Sequence, residues 1–292
     1  MRRRSTMENI FTVGNYFIMI VFAFITFFPF YYIIIYSLSD PSAAQNGLIT
    51  LWPKGFTLIN YQSVFKVEYL ANATLVTLTR TVLGTILTLM GCSLFAYGLT
   101  KSILPFRKTM YRLLIISMYI SSGLIPMYLL ITMLHLKNNF LVYVIPSIIA
   151  PFFLILIKTY IEQLPPALEE AAMVEGAGYF AIFFKIVLPL CLPIMATIAI
   201  FQAVNHWNSW MDNLFFVTDS RLLTLQMLLL NLIKSHTVSA TAAATNELSG
   251  IKVTPNSIRM TITIVATLPI MIVYPFLQRF FIKGIMLGAV KG

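Results

Sequence analysis

Six long stretches of this chain contain no Asp, Glu, Lys or Arg: Asn9–Ser39, Thr81–Thr100, Leu113–Leu136, Asn138–Ile157, Ile186–Met211 and Met260–Gln278. A helix needs roughly 20 apolar residues to cross the hydrocarbon of a bilayer. Backbone in lipid must satisfy its own hydrogen bonds, which leaves helices or closed barrels, and these stretches are too long for barrel strands of about 9–11 residues. The expectation is an all-α polytopic membrane protein, a single transmembrane domain over 1–292, with six helices at about 10–39, 72–100, 113–136, 139–157, 186–211 and 260–278. Composition agrees: 59% of the 292 residues are hydrophobic and 10% charged, against about 25% charged in soluble domains. A disordered chain, a disulfide scaffold and a nucleic-acid-binding domain are excluded. Cys92 and Cys191 fall inside apolar stretches, as buried free thiols do.

Six crossings put both termini on one side, and Lys and Arg in short loops choose the side. Arg2–Arg4, Lys101, Arg107, Lys108, Arg112, Lys158, Lys185, Arg279, Lys283 and Lys291 make twelve on the terminal side, against seven on the other. Both termini are therefore expected in the cytoplasm, and the net charge of +10 is largely a topology signal. The first apolar run is far longer than the 7–15 residues of a signal-peptide core, so it reads as an uncleaved helix despite the small residues Ser42, Ala43 and Ala44.

The outer segment 40–68 carries Pro41, Gly47, Pro53 and Gly55, which suit turns and short elements. The outer loop 212–259 contains the Leu-rich run Leu222–Ile233, too short to span and expected as an interfacial or core-packed helix. The cytoplasmic loop 158–185 stands out because four of the ten acids, Glu162, Glu169, Glu170 and Glu175, lie on a side otherwise basic. Pro165 and Pro166 suit a first helical turn, Ala167–Val174 are good helix formers, and Gly176 or Gly178 stops the run. A helix, a glycine turn and a second amphipathic stretch leading through Pro189 describe a docking element.

Glu170, Ala171, Ala172, Gly176, Ala177, Phe183, Ile186, Leu188, Pro189 and Leu190 resemble, without a gap, the EAA motif of ABC importer permeases. The ending Lys283-Gly284 with Gly288–Gly292, and Trp207-Asn208, are similar to carbohydrate permeases of the smaller maltose-permease type. The run Asn205–Trp210 and the extended last outer loop look closer to complex-saccharide permeases such as those for alginate or rhamnogalacturonan oligosaccharides. The resemblance implies a type I ABC importer permease in the bacterial inner membrane, coupled through this loop to ABC ATPase subunits in two copies. It also implies a second, homologous permease subunit and an extracytoplasmic saccharide-binding protein, with lipid around the chain and no nucleic acid. No G-x-x-x-x-G-K-[ST] loop occurs in the sequence, so ATP and Mg would be used by the partner, this chain holding no cofactor and no metal.

The resemblance assigns ATPase coupling to Glu169, Glu170, Ala171, Ala172, Glu175, Gly176 and Ala177. Glu170 would meet a basic group of the ATPase, Ala171 and Ala172 would keep the docked face small, and Gly176 would let the two loop helices pack closely. Thr77, Thr81, Gly84, Thr85 and Thr88, with Ser117, Ser121, Ser122 and Gly123, offer small polar faces for a permease–permease seam or for ordinary helix packing. Gly123 and Pro126 are positioned to bend the third helix. Asn205, His206, Trp207, Asn208 and Trp210, beside Asp212, combine aromatic faces with amides as a saccharide site does; an interfacial aromatic belt is the alternative. Arg80 either snorkels to the outer interface or binds an anionic saccharide or a carboxylate of a partner helix. The flexible, small-residue stretch 240–250 is placed to enter the binding protein's cleft. An ion-gradient-driven secondary transporter is the rival reading; it calls for ionisable groups at mid-membrane and repeated halves.

Overall fold

The computed structural model describes residues 6–120, 122–239, 254 and 256–272, and every described element is helical. In chain order these are α1 (Thr6–Ser37), α2 (Pro41–Gln45), α3 (Ile59–Phe65), α4 (Leu70–Thr100), α5 (Arg107–Tyr119) and α6 (Leu124–Met133). Two short 3-10 turns, Phe140–Tyr143 and Ile145–Ser147, precede α7 (Pro151–Ile161), α8 (Ala167–Val174) and α9 (Tyr179–Ile182). A π turn at Phe183–Val187 leads to α10 (Leu188–Leu190), α11 (Leu192–Asn208) and α12 (Met211–Phe216). Another 3-10 turn, Ser220–Leu222, precedes α13 (Leu225–Ser239), and α14 is Asn256–Ile272. Chain packing separates two compact units, one of Met1–Glu68 with Leu229–Leu268 and one of Tyr69–Leu228 with Pro269–Gly292.

Among the described residues, two helices are long and apolar enough to cross a membrane, Ile10–Ser37 of α1 and Leu70–Thr100, which is α4. Two bent pairs, Phe140–Ser147 with Pro151–Ile161 at 43° and Tyr179–Leu190 with Leu192–Asn208 at 77°, raise the number to four if each is one span. The third window is not one helix: it breaks between α5 and α6, where Gly123 takes a φ of +77°. The continuous helix expected over 139–157 is also corrected. Pro146 and Pro151 each remove a backbone donor, and the segment becomes 3-10 turns followed by α7. The carbonyls that the break releases are met from α4: Thr88 Oγ1 donates to Ser147 O at 2.8 Å and Cys92 Sγ to Ile148 O at 3.5 Å. Broken helices in apolar surroundings persist when neighbours re-satisfy them in this way.

In the first unit α1 is apolar all round and exposed along most of its length, the pattern of a helix facing lipid. Its last turn is tied down by Asn60, a buried side chain whose Nδ2 donates to Ser37 O at 2.8 Å and Ser39 O at 3.0 Å. The segment 40–68 holds only α2, capped by Asp40 accepting from Ser42 N at 2.9 Å, and α3. In the second unit α4 packs chiefly on α11 and α7. Its buried residues Ala73, Thr77, Arg80, Gly84, Thr88, Cys92, Ala96 and Leu99 recur every three or four positions, one helical face. Leu75, Leu78, Val82 and Ile86 point the other way, exposed. The small residues on the buried face let neighbouring elements approach closely.

Candidate functional site: a docking loop and a polar cavity

The loop between α7 and α11 begins with Pro165-Pro166, whose carbonyls accept from Leu168 N at 3.2 Å and Glu169 N at 3.0 Å. Helix α8 ends as its sequence demands. Val174 is the last helical residue and Glu175 the C-cap, Gly176 turns left-handed with φ +83°, Gly176 N donates to Met173 O at 3.0 Å and Ala177 N to Ala172 O at 2.9 Å. These two bonds with a left-handed glycine form a Schellman terminus, and the spacing Ala172, Gly176, Ala177 is that of its required positions. Adding a Cβ at Gly176 would meet nothing within 4 Å. The close packing expected there is therefore corrected: the glycine is needed for its φ, since other residues reach this region only with strain.

Helix α8 has two faces. Ala172 is 7% exposed and packs into the core that holds Ile182 and Phe183, so its small size serves its own chain rather than the outer face. Glu169 pairs with Lys101 at the end of α4; the Lys101 ammonium lies 4.2 Å from the Tyr97 ring centre, and Phe183 packs on that ring at 5.3 Å. Leu168, Glu170, Ala171, Met173, Val174 and Glu175 are exposed on the other face, Val174 at 89%. One side of α8 is thus anchored to α4, and the other presents apolar groups with two carboxylates.

In the N-terminal half of α4, well inside the helix, Arg80 is 1% exposed. Its guanidinium grips the Asp212 carboxylate with both terminal nitrogens, Nη1 to Oδ1 at 3.2 Å and Nη2 to Oδ2, while Nη1 also reaches Ser209 O at 3.4 Å. The Tyr143 ring lies under it at 4.5 Å. The snorkelling alternative is overturned: the charge turns inward because a carboxylate at the start of α12 neutralises it. Asn213 Nδ2 and Leu222 O hold the Tyr143 hydroxyl. One turn along, the buried Gln202 donates Nε2–H to Thr88 Oγ1 at 3.1 Å and faces His206 Nε2 at 3.1 Å, and Ser147 Oγ lies 3.4 Å from the same nitrogen. With the amide donating, the His206 Nε2 is an acceptor and the ring is neutral.

Arg80, Asp212, Tyr143, Gln202 and His206 line one cavity of about 520 Å³, with Phe152 and Phe216 among its apolar walls. That volume lies in the range of small-ligand sites, roughly 300–1,000 Å³. A 26%-identical solved chain from a bacterial ABC transporter involved in the import of the acidic polysaccharide alginate superposes with a TM-score of 0.87, over 96% of this chain and 100% of that one. The polygalacturonan/rhamnogalacturonan transport system permease YtcP of Bacillus subtilis (strain 168) is 34% identical over 286 residues, 98% of this chain and 99% of its own. The chain belongs to the family of sugar-importing ABC permeases. The melibiose/raffinose/stachyose import permease MelC of Bacillus subtilis (strain 168) is 29% identical over 278 residues, 91% of this chain and 92% of its own. No protein-family model matches the chain.

Of the saccharide candidates in this ABC permease, Arg80, Asn205 and His206 line the cavity, whereas Trp207, Asn208 and Trp210 do not. Trp207 is buried and Asn208 exposed. Tyr143 and Gln202 were missed because each stands singly inside an apolar run, and their partners Asn213 and Thr88 lie in other windows or loops. Two hydroxyls of the small polar face of α4 are occupied within the chain: Thr77 Oγ1 accepts from Leu225 N at 2.8 Å, and Thr88 binds Ser147 and Gln202. Of the residues offered for a permease–permease seam, these two serve ordinary packing. Ser121, the stretch 240–250 and the ending Lys283–Gly292 lie outside the described residues.

Proposed function

We propose that this chain is the membrane-spanning subunit of an ATP-driven importer that passes saccharides from an extracytoplasmic binding protein into the cytoplasm of a bacterium. The observation that carries the coupling half of this reading is α8, held by the Schellman turn and the Lys101–Glu169 pair with its other face open. In this reading Glu170 and Glu175 meet basic groups of a separate ATPase, present in two copies, while Ala171, Leu168, Met173 and Val174 supply the apolar seat. ATP and Mg belong to that partner. Both termini, the Lys101 end of α4 and α8 lie on the cytoplasmic side, in keeping with the distribution of Lys and Arg. The two long helices, the two bent pairs, the broken third segment and the last apolar segment make six crossings of one transmembrane domain in the inner membrane. A second, homologous permease completes the pathway.

The sugar specificities carried in the names of the relatives support a saccharide substrate, and the cavity's mixture of aromatic faces and hydrogen-bonding groups suits one. The test is reconstitution of the purified complex with its binding protein in proteoliposomes. Saccharide uptake that requires internal ATP is the expected result; uptake that follows an imposed proton or sodium gradient without ATP would establish the secondary-transporter rival.

A further inference from the structure

The relatives' names divide between acidic substrates, polygalacturonan and alginate, and neutral ones, melibiose, raffinose and stachyose. The charge balance of the cavity bears on that division. Its cation is Arg80, at 1% exposed, and both of its terminal nitrogens are committed to Asp212. Asp212 is the more accessible partner, with 20% of its side chain exposed against 2% for Arg80. The nearby His206 is neutral by its hydrogen bonding to Gln202. Asp212 Oδ1 also accepts from Asn213 N at 2.9 Å, so a ligand entering the cavity meets a carboxylate whose Oδ2 retains an open lone pair before it meets a guanidinium. Asn205 and Ser209 add hydrogen-bonding groups, and Phe152 and Phe216 add apolar walls.

We infer that this cavity is a sugar subsite within this subunit that takes a neutral, hydroxyl-rich ring and disfavours a uronate. A ring hydroxyl donates to Asp212 Oδ2, which the Arg80 fork holds in place, and the C–H face of the ring packs on the aromatic walls. A uronate carboxylate would sit against Asp212 with no spare positive charge to offset it, and like-charge juxtaposition rejects ligands strongly. The inference rests on the saccharide-importer reading and adds to it the location and charge class of the ligand.

The experiment is saturation-transfer NMR on the complete importer, this chain with its partner subunits, in nanodiscs. The probes are methyl α-galactopyranoside and methyl α-galactopyranosiduronate with its carboxylate free, which differ only in the oxidation of one carbon. The native complex is expected to bind the neutral glycoside at least about tenfold more tightly. Asp212→Asn leaves Arg80 as a net charge and is expected to shift that ratio toward the uronate by about tenfold or more. Asn205→Asp, at an exposed position of the lining, is expected to weaken the uronate further; it decides the matter if Asp212→Asn does not assemble. Absence of neutral-glycoside signal, equal or tighter uronate binding, or a ratio that neither variant moves would overturn the subsite. ATP-driven uptake by the same purified complex reconstituted in proteoliposomes separates the two levels: if uptake persists while the NMR prediction fails, only the subsite is lost.

Discussion

An alanine at Gly84 should be harmful, whereas an alanine at Gly98 on the same helix should not. A Cβ built at Gly84 would lie 2.5 Å from His206 Cε1 and 2.8 Å from Cδ2; one built at Gly98 meets nothing within 4 Å. Ordinary contact requires the imidazole to retreat by about 1 Å in a packed interior. The ring is 4% exposed and is held by Gln202 and Ser147, so a retreat from α4 strains both hydrogen bonds. Overpacking of this kind costs about 1–3 kcal/mol, and straining the two hydrogen bonds adds about 1 kcal/mol. Replacing a helical glycine returns up to about 1 kcal/mol. Gly84→Ala should therefore be destabilised by about 1–3 kcal/mol, and Gly98→Ala should be neutral or more stable by a few tenths. Equilibrium unfolding of the two purified variants in mixed micelles measures the difference. Equal stability would refute the close approach of α11 to α4 at this point, and with it the placement of His206 in the cavity.

Other outcomes follow from the same geometry. Gly176→Asn should retain transport and Gly176→Val should lose it while still inserting, because Asn reaches the left-handed region and a β-branched residue does not; uptake by both variants at the native rate would dismiss the Schellman turn as a requirement. Lys101→Glu should lower the ratio of sugar transported to ATP hydrolysed, and the reversed pair Lys101→Glu with Glu169→Lys should recover it; failure of the reversed pair would show that Glu169 acts outside its own chain. Asp212→Ala strands the Arg80 charge and should cost about 3 kcal/mol or more, whereas Arg80→Met with Asp212→Leu should cost less than either single change; the same micelle titration measures all of them.

How much of this was legible in the sequence depended on whether the determinants were local. Helix α8 runs over Ala167–Val174 as expected because its stop and start signals, Pro165-Pro166 and Gly176, lie within a turn of its ends. The first two apolar helices were equally readable, since a long charge-free run specifies a span without help from elsewhere. The fourth window misled because apolar content does not report continuity. Its break is stabilised by Thr88 and Cys92, about sixty residues earlier in the chain, and no local pattern records them.

The cavity shows the same division. Asn205 and His206 stood in a visible cluster, but the decisive partner of Arg80 is Asp212, 132 residues away. One signal was present and unread: Arg80 immediately precedes the second charge-free window and Asp212 immediately follows the fifth. Opposite charges at the edges of two apolar segments have few other partners, which is reason to pair them. The role of Gly176 was assigned correctly as a turn but for the wrong physical cause, since sequence does not distinguish a glycine required for φ from one required for space.

The central claim is that this chain borrows its ATP hydrolysis from a partner seated on the open face of α8. Affinity purification of the tagged chain under mild extraction, with ATPase activity measured in the eluate, tests it most directly. ATPase activity is expected to accompany the native chain and to be lost from an Ala171→Arg variant that inserts into the membrane equally well. A native chain that elutes without ATPase activity, or a variant that retains it in full, would contradict the account.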